Sequence, residues 1–130
     1  MYGRTKGRRL SKKQKLFLRN HGKDLIFDDG KMEEFLYETF GPKENIFDNK
    51  KVYLEIGFGS GEHLAHKAER HKESKFIGCD YYLNGIASTV IKITEKELNN
   101  VSLFYGDAFK LLDKIPNNSL YEVYLLYPDP

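Results

Sequence analysis

Apolar residues come in short runs broken by polar and glycine-containing stretches, and their period alternates between that of strands and that of helices. Val52–Ile56, Lys75–Asp80, Val101–Tyr105 and Leu120–Tyr127 are rich in β-branched and aromatic residues and too short for helices, so they read as buried strands. Between them the apolar positions take helical spacing. Leu64, Ala65 and Ala68 share one face of Glu62–Lys72; Ile86, Val90, Ile93 and Leu98 point inward from Gly85–Asn99; a shorter helix covers Ala108–Lys114. Strands and helices in alternation predict an α/β fold with a doubly wound, mostly parallel sheet. Upstream, Ser11 and Gln14 form a capping-box pattern that opens a helix over Lys12–Asn20, ending near Gly22, with Leu16 and Phe17 as its narrow apolar side. Leu25-Ile26-Phe27 is a brief apolar run closed by the turn Asp28-Asp29-Gly30. Met32, Phe35, Leu36 and Phe40 then place a packing helix over Lys31–Phe40, stopped by Gly41-Pro42.

The first long strand runs directly into Glu55-Ile56-Gly57-Phe58-Gly59-Ser60-Gly61-Glu62 and the next helix. Strand, glycine turn and helix open a nucleotide-binding βαβ unit, in which side chains at Gly57, Gly59 or Gly61 would hold the backbone off a ligand or force a disfavoured dihedral. The dinucleotide pattern has glycines at its first, third and sixth positions; here they fall at the first, third and fifth, and Glu62 is the sixth. A carboxylate there is a poor neighbour for a pyrophosphate, whereas Glu55 suits a ligand with a cationic amino-acid part. Asp80 closes the second strand, placed either for ribose hydroxyls or to cap the helix behind it, and Tyr81 or Tyr82 is placed to lie against an adenine. Asp107 is placed both to cap the helix from Ala108 and to reach an adenine amino group. Asp129, between two prolines that fix its backbone, follows the strand expected to flank the glycine loop at the topological switch point.

Charge is divided unevenly. The net charge is +2, yet residues 1–23 hold nine Lys or Arg and no acid, while residues 24–130 hold twelve Lys or Arg against nineteen acids. A basic arm on an acidic body points to a polyanion, nucleic acid first and an anionic membrane surface second, with Arg4, Lys6, Arg8, Arg9, Lys12 and Lys13 as the contacts. The chain is divided accordingly into an arm, 1–23, and a domain, 24–130. Length and composition, 130 residues at 40% hydrophobic and 31% charged, suit one small soluble domain. No apolar run is long enough for a membrane span and no start resembles a signal peptide. The single cysteine, Cys79, lies in an apolar run, which fits a reducing, cytoplasmic setting. His63, His66 and His71 have no cysteine cluster beside them, so they read as a solvated helix surface and not as a metal site.

Taken in order, these motifs resemble a known family. They are Tyr2-Gly3-Arg4 and Gly7-Arg8, Leu54-Glu55-Ile56-Gly57-Phe58-Gly59-Ser60-Gly61-Glu62, Phe76-Ile77-Gly78-Cys79-Asp80 with Leu83-Asn84-Gly85, Gly106-Asp107-Ala108, and Pro128-Asp129-Pro130. Together they are similar to the bacterial tRNA guanine-N7 methyltransferases. The resemblance implies the Rossmann-like fold of class I methyltransferases, S-adenosylmethionine as cofactor and a guanine of the tRNA variable loop as target. It also implies Glu55, Asp80, Asp107 and Asp129 as cofactor-contacting acids, with Asp129 in the active site as well. Asp80 departs from the Glu usual in the family. The family also continues after Pro-Asp-Pro with further strands, so the resemblance implies the N-terminal part of a longer enzyme or a truncated one. A truncated, inactive module binding RNA or another subunit is the alternative. Leu120–Tyr127 would then be an exposed sheet edge open to pairing with another copy.

Overall fold

The computed structural model describes residues 9–41 and 50–126. Five helices, α1 (Lys12–Leu25), α2 (Met32–Phe40), α3 (Glu62–Arg70), α4 (Leu83–Glu95) and α5 (Ala108–Lys114), alternate with five strands. The strands are β1 (Ile26–Phe27), β2 (Val52–Ile56), β3 (Lys75–Asp80), β4 (Val101–Tyr105) and β5 (Glu122–Leu125). They form one sheet in the order β1-β4-β3-β2-β5, and every pairing is parallel. The direction of winding reverses between β2 and β5, which puts the switch point where the glycine loop leaves β2. This is the doubly wound α/β architecture expected from the sequence.

Strand periodicity sorts the core into two layers. Tyr53, Phe76, Val101 and Leu103 face α3 and α4, where they meet Leu64, Ala65, Ala68, Ile86, Val90 and Ile93. Val52, Leu54, Ile77, Cys79 and Phe104 face the other way, toward Met32 of α2 and Leu111 of α5. Strands buried on both faces need apolar residues at every position, which is why β2 to β4 read as unbroken runs.

Four expectations are corrected. First, α1 does not stop near Gly22; it continues to Leu25, closed by the Ile26 N–H donating to the Gly22 carbonyl, so the boundary drawn at residue 23 falls inside a helix. Second, its inward face is Phe17, Leu18 and Leu25, packed against the core and α4, whereas Leu16 is exposed. Third, Ile26-Phe27 is no mere pre-turn run. It pairs with β4 through Ile26↔Leu103 and Phe27↔Phe104 and makes a sheet edge. Fourth, α4 begins at Leu83, before Gly85, and ends at Glu95.

β5 is the opposite edge, shorter than expected and lined by exposed Val123 and Leu125. Among the described residues no helix is long and apolar enough to cross a membrane.

Candidate functional site

The turn after β2 is shaped by what surrounds it. The Gly57 N–H donates to the Cys79 carbonyl at 2.9 Å, so the chain stays tied to β3 as it leaves the sheet. Phe58 then turns down into the core, where it lies against Gly78; a Cβ at 78 would come within 2.8 Å of its ring. With Phe58 as anchor, the loop rises over the carboxyl edge of the sheet and Gly61 starts α3. Gly57, Gly59 and Gly61 have φ of 74°, 60° and 82°, the left-handed region that disfavours side chains. Gly59 alone among them has open space where a Cβ would be, so its face is presented outward.

Asp80 organises the same corner from β3. Oδ2 accepts the Gly59 N–H at 3.1 Å, and Oδ1 accepts the Tyr81 and Tyr82 N–H groups at 2.8 Å and 3.2 Å. Asp80 is therefore not the cap of α4, whose first residue follows Tyr82. Burial pushes its carboxyl above the ordinary 3.8, and the backbone donors from Gly59, Tyr82 and Tyr81 oppose that push. Oδ2 keeps one lone-pair direction for a further donor.

A cavity of about 510 Å³ opens beside these groups, lined by Gly59, Ser60, Asp80, Tyr82, Asn84 and Gly85, with Arg9 and Gln14 at its α1 side. Its volume is that of a small-molecule site. Gln14 donates to the Ser88 hydroxyl at 3.1 Å and so pins the start of α1 to α4 at the cavity mouth. Of the six basic residues expected to meet RNA, Arg9 thus shares a cavity with Gly59 and Asp80. Lys12 and Lys13 lie in the first turn of α1, Lys13 paired with Glu95 at 3.1 Å. Arg4, Lys6 and Arg8 lie outside the described residues, as does Asp129. Leu126, just before that last segment, sits directly on Gly57, whose Cβ would come within 2.5 Å of the Leu126 carbonyl oxygen.

Glu55 is apart from this cavity. It is 2% exposed, and His63 of α3 donates from Nδ1 to Oε1 at 2.5 Å. Oε2 is buried and has no hydrogen-bond partner among the described residues. Burial pushes the Glu55 carboxyl above its ordinary 4.5, while the His63 hydrogen bond, then the charges of His63 and Lys67, pull it back. The solvated surface expected for the three histidines is corrected at this residue. Asp107 caps α5, its Oδ1 accepting the Phe109 N–H at 2.9 Å. Tyr81 and Tyr82 stand edge to face at 5.9 Å and are partly exposed beside Asp80.

Two contributors escape sequence reasoning. His63 escapes because its partner is eight positions away across a turn. Asn84 escapes although it was in plain view beside Gly85: its Oδ1 is a second buried oxygen without a partner among the described residues, and it lines the cavity. Glu55 Oε2 and Asn84 Oδ1 thus leave two buried acceptors around the glycine loop open to a donor.

Residues 49–130 match the model of a protein family described as "Putative methyltransferase". The chain belongs to this family. Within it, the "tRNA (guanine-N(7)-)-methyltransferase" of Jannaschia sp. (strain CCS1) is 38% identical over 132 residues, covering 99% of this chain and 54% of that protein. The protein of the same name from Agrobacterium fabrum is 37% identical over 133 residues, covering 99% and 54%. A "Bifunctional methyltransferase" of Rickettsia felis is 39% identical over 103 residues, covering 78% of this chain and 19% of its own. The chain thus spans about half the length of the curated guanine-N7 methyltransferases that it matches.

Proposed function

We propose that this chain carries the cofactor-binding part of a methyltransferase that moves a methyl group from S-adenosylmethionine to N7 of a guanine in the variable loop of tRNA. The observation that carries the reading is the set of unsatisfied acceptors around the Gly57–Gly61 loop, Glu55 Oε2 and Asn84 Oδ1 above all, in a chain matched along nearly its whole length by named guanine-N7 methyltransferases. When bound, the donor supplies a methyl group on a sulfonium, which passes to the guanine N7 lone pair while sulfur keeps the bond's electrons.

The protein's own residues bind and orient. Asp80, through the free direction of Oδ2, and Asn84 take the ribose hydroxyls, and Glu55 takes the amino end of the methionine part. The free oxygen of Asp107 takes the adenine amino group. Guanine N7 has a lone pair in its neutral form and needs no base, so the chemistry is positioning plus charge placement. Positive charge develops on the purine as the bond forms. Asp129, assigned by family resemblance, is the carboxylate to meet it. Arg9, Lys12 and Lys13, with Arg4, Lys6 and Arg8, hold phosphates in salt-dependent contacts.

The test has two stages. Calorimetric titration with S-adenosylmethionine, with NAD as control, should show binding of the first alone. Labelled methyl transfer to tRNA by a version extended beyond residue 130 should then give 7-methylguanosine on nucleoside analysis. Label at any other base position would refute the assignment of N7.

A further inference from the structure

The Glu55–His63 pair has a consequence for how the site works. Glu55 is fully enclosed at the end of β2, yet only one of its oxygens is satisfied. His63 supplies that one bond from the first turn of α3, with its side chain still 42% exposed. An enclosed carboxylate held by a single charge-assisted hydrogen bond depends on that bond for both its ionisation and its orientation.

We propose that His63 is a positioning residue for the methyl donor: by holding Oε1 it orients the Glu55 carboxylate and leaves Oε2 to the donor's ammonium group. This rests on the S-adenosylmethionine reading above.

The surroundings leave this task to few groups. From α3, Lys67 is the other cation near Glu55, and its contribution is smaller than that of His63. From β5, Tyr124 stands opposite Glu55 in register; its ring meets the His63 ring edge-on at 5.3 Å, and its hydroxyl donates to Glu122 at 3.2 Å, away from the pair. From β3, the residue opposite is Gly78, which carries no charge, and Asp80 is committed to backbone donors. Tyr124 and Lys67 also engage each other, with the ammonium 5.4 Å from the ring centroid, so that cation is partly drawn to β5. His63 is therefore the contact that holds Glu55 in place, and the largest of those that oppose the effect of its burial.

The consequence is a pH dependence of cofactor binding governed from a half-exposed ring. Donor binding needs the Glu55 carboxylate, so affinity falls as pH drops through the titration of Glu55. Removing the ring removes a contact that favours the ionised form, so the fall should begin at higher pH.

The experiment follows the Glu55 side-chain carboxyl by carbon-13 NMR across pH, without ligand, and S-adenosylmethionine affinity by calorimetry over the same range. Both are run on the wild type, His63→Ala, His63→Asn and the control His66→Ala, an exposed histidine of the same helix. His63→Asn keeps a donor at the place of Nδ1. With His63→Ala, the Glu55 midpoint should rise by about one pH unit and affinity at pH values below that midpoint should fall about tenfold, with little change well above it. His63→Asn should recover most of both, and His66→Ala should change neither. An unmoved Glu55 midpoint in a folded His63→Ala protein overturns the positioning role. So does an unchanged affinity profile with a shifted midpoint. A wild type that binds no S-adenosylmethionine at any pH, with the NMR shift still present, overturns the cofactor reading itself and reduces the pair to a structural contact.

Discussion

Gly85, in the first turn of α4, lies against the carbonyl oxygen of Gly59 so closely that no Cβ fits between them. The helix after β3 and the loop after β2 are thereby locked together at the cavity. Gly85→Ala must push the loop outward, which should cost about 1–3 kcal/mol of stability, as overpacking does. It should also weaken S-adenosylmethionine binding. Gly59→Ala makes the contrast, because its Cβ enters open space and only the positive φ is strained, for about 1–2 kcal/mol. Urea denaturation of the two variants beside the affinity of each separates the cases. Gly59→Ala should lose affinity out of proportion to its lost stability.

Glu55→Gln should stabilise the protein and weaken it as a binder. The folded-state carboxyl titrates above 4.5, so between 4.5 and that raised value the folded state holds more protons than the unfolded one. Stability from this group is therefore present at low pH and lost as pH rises through the window. Gln has no charge to lose. The variant should gain about 1 kcal/mol at pH 8 and show a flatter stability profile above pH 4.5, with Asp80, whose carboxyl is shifted in the same direction, still contributing to the slope. Denaturant midpoints taken at several pH values test this. A loss of stability at pH 8 would contradict it.

RNA affinity should follow charge on α1 with the fold kept intact. Because Phe17, Leu18 and Leu25 pack against the core, deleting the start of the chain up to residue 15 would cut into a packed helix. Arg9→Gln and Lys12→Gln are the cleaner changes. Each should reduce the slope of log affinity against log salt by about one, with cofactor affinity kept for Lys12→Gln. A filter-binding salt series with tRNA reads this directly. An unchanged slope for both would remove α1 from the RNA surface.

Cys79 should be inert in the native protein. Burial, then the charges of Asp80 and Asp107, push its thiol up to about 12, and it packs with Ile77 and Phe104 under α5. Thiolate is the reactive form, so alkylation at pH 8 should proceed only on unfolding. Labelling that is complete within minutes in native buffer would show that the lower core opens readily.

How much of this was readable in advance depended on whether the signal was local. Val52–Ile56 and Lys75–Asp80 are buried on both faces, so every residue carries the pattern and the strand limits agree with the sequence to the residue. The Ser11–Gln14 capping box is likewise a local device and is present as read. Gly22 misled because glycine ends helices more often than it serves inside one; here it is the only buried residue of α1. Ile26-Phe27 is too short to show a period, and its partner is a strand near the other end of the chain. The acids of the site were legible by type and place, but the states of Glu55 and Asp80 were not. Those depend on which amides and rings the fold brings to them, and no spacing rule encodes that.

The placement of β1 also fixes an order of events. Among the described residues its strand partner is β4, three helices and two strands further along, so the N-terminal segment can finish folding only after most of the chain described here exists. During synthesis, α1 and its lysines would leave the ribosome long before the surface they pack on. In that interval the most cationic part of the protein is unanchored, surrounded by ribosomal RNA. A helix proposed to grip tRNA thus meets ribosomal RNA before it has a fold around it. Slow release from the ribosome, relieved by neutralising α1, is the cellular trace such an arrangement would leave.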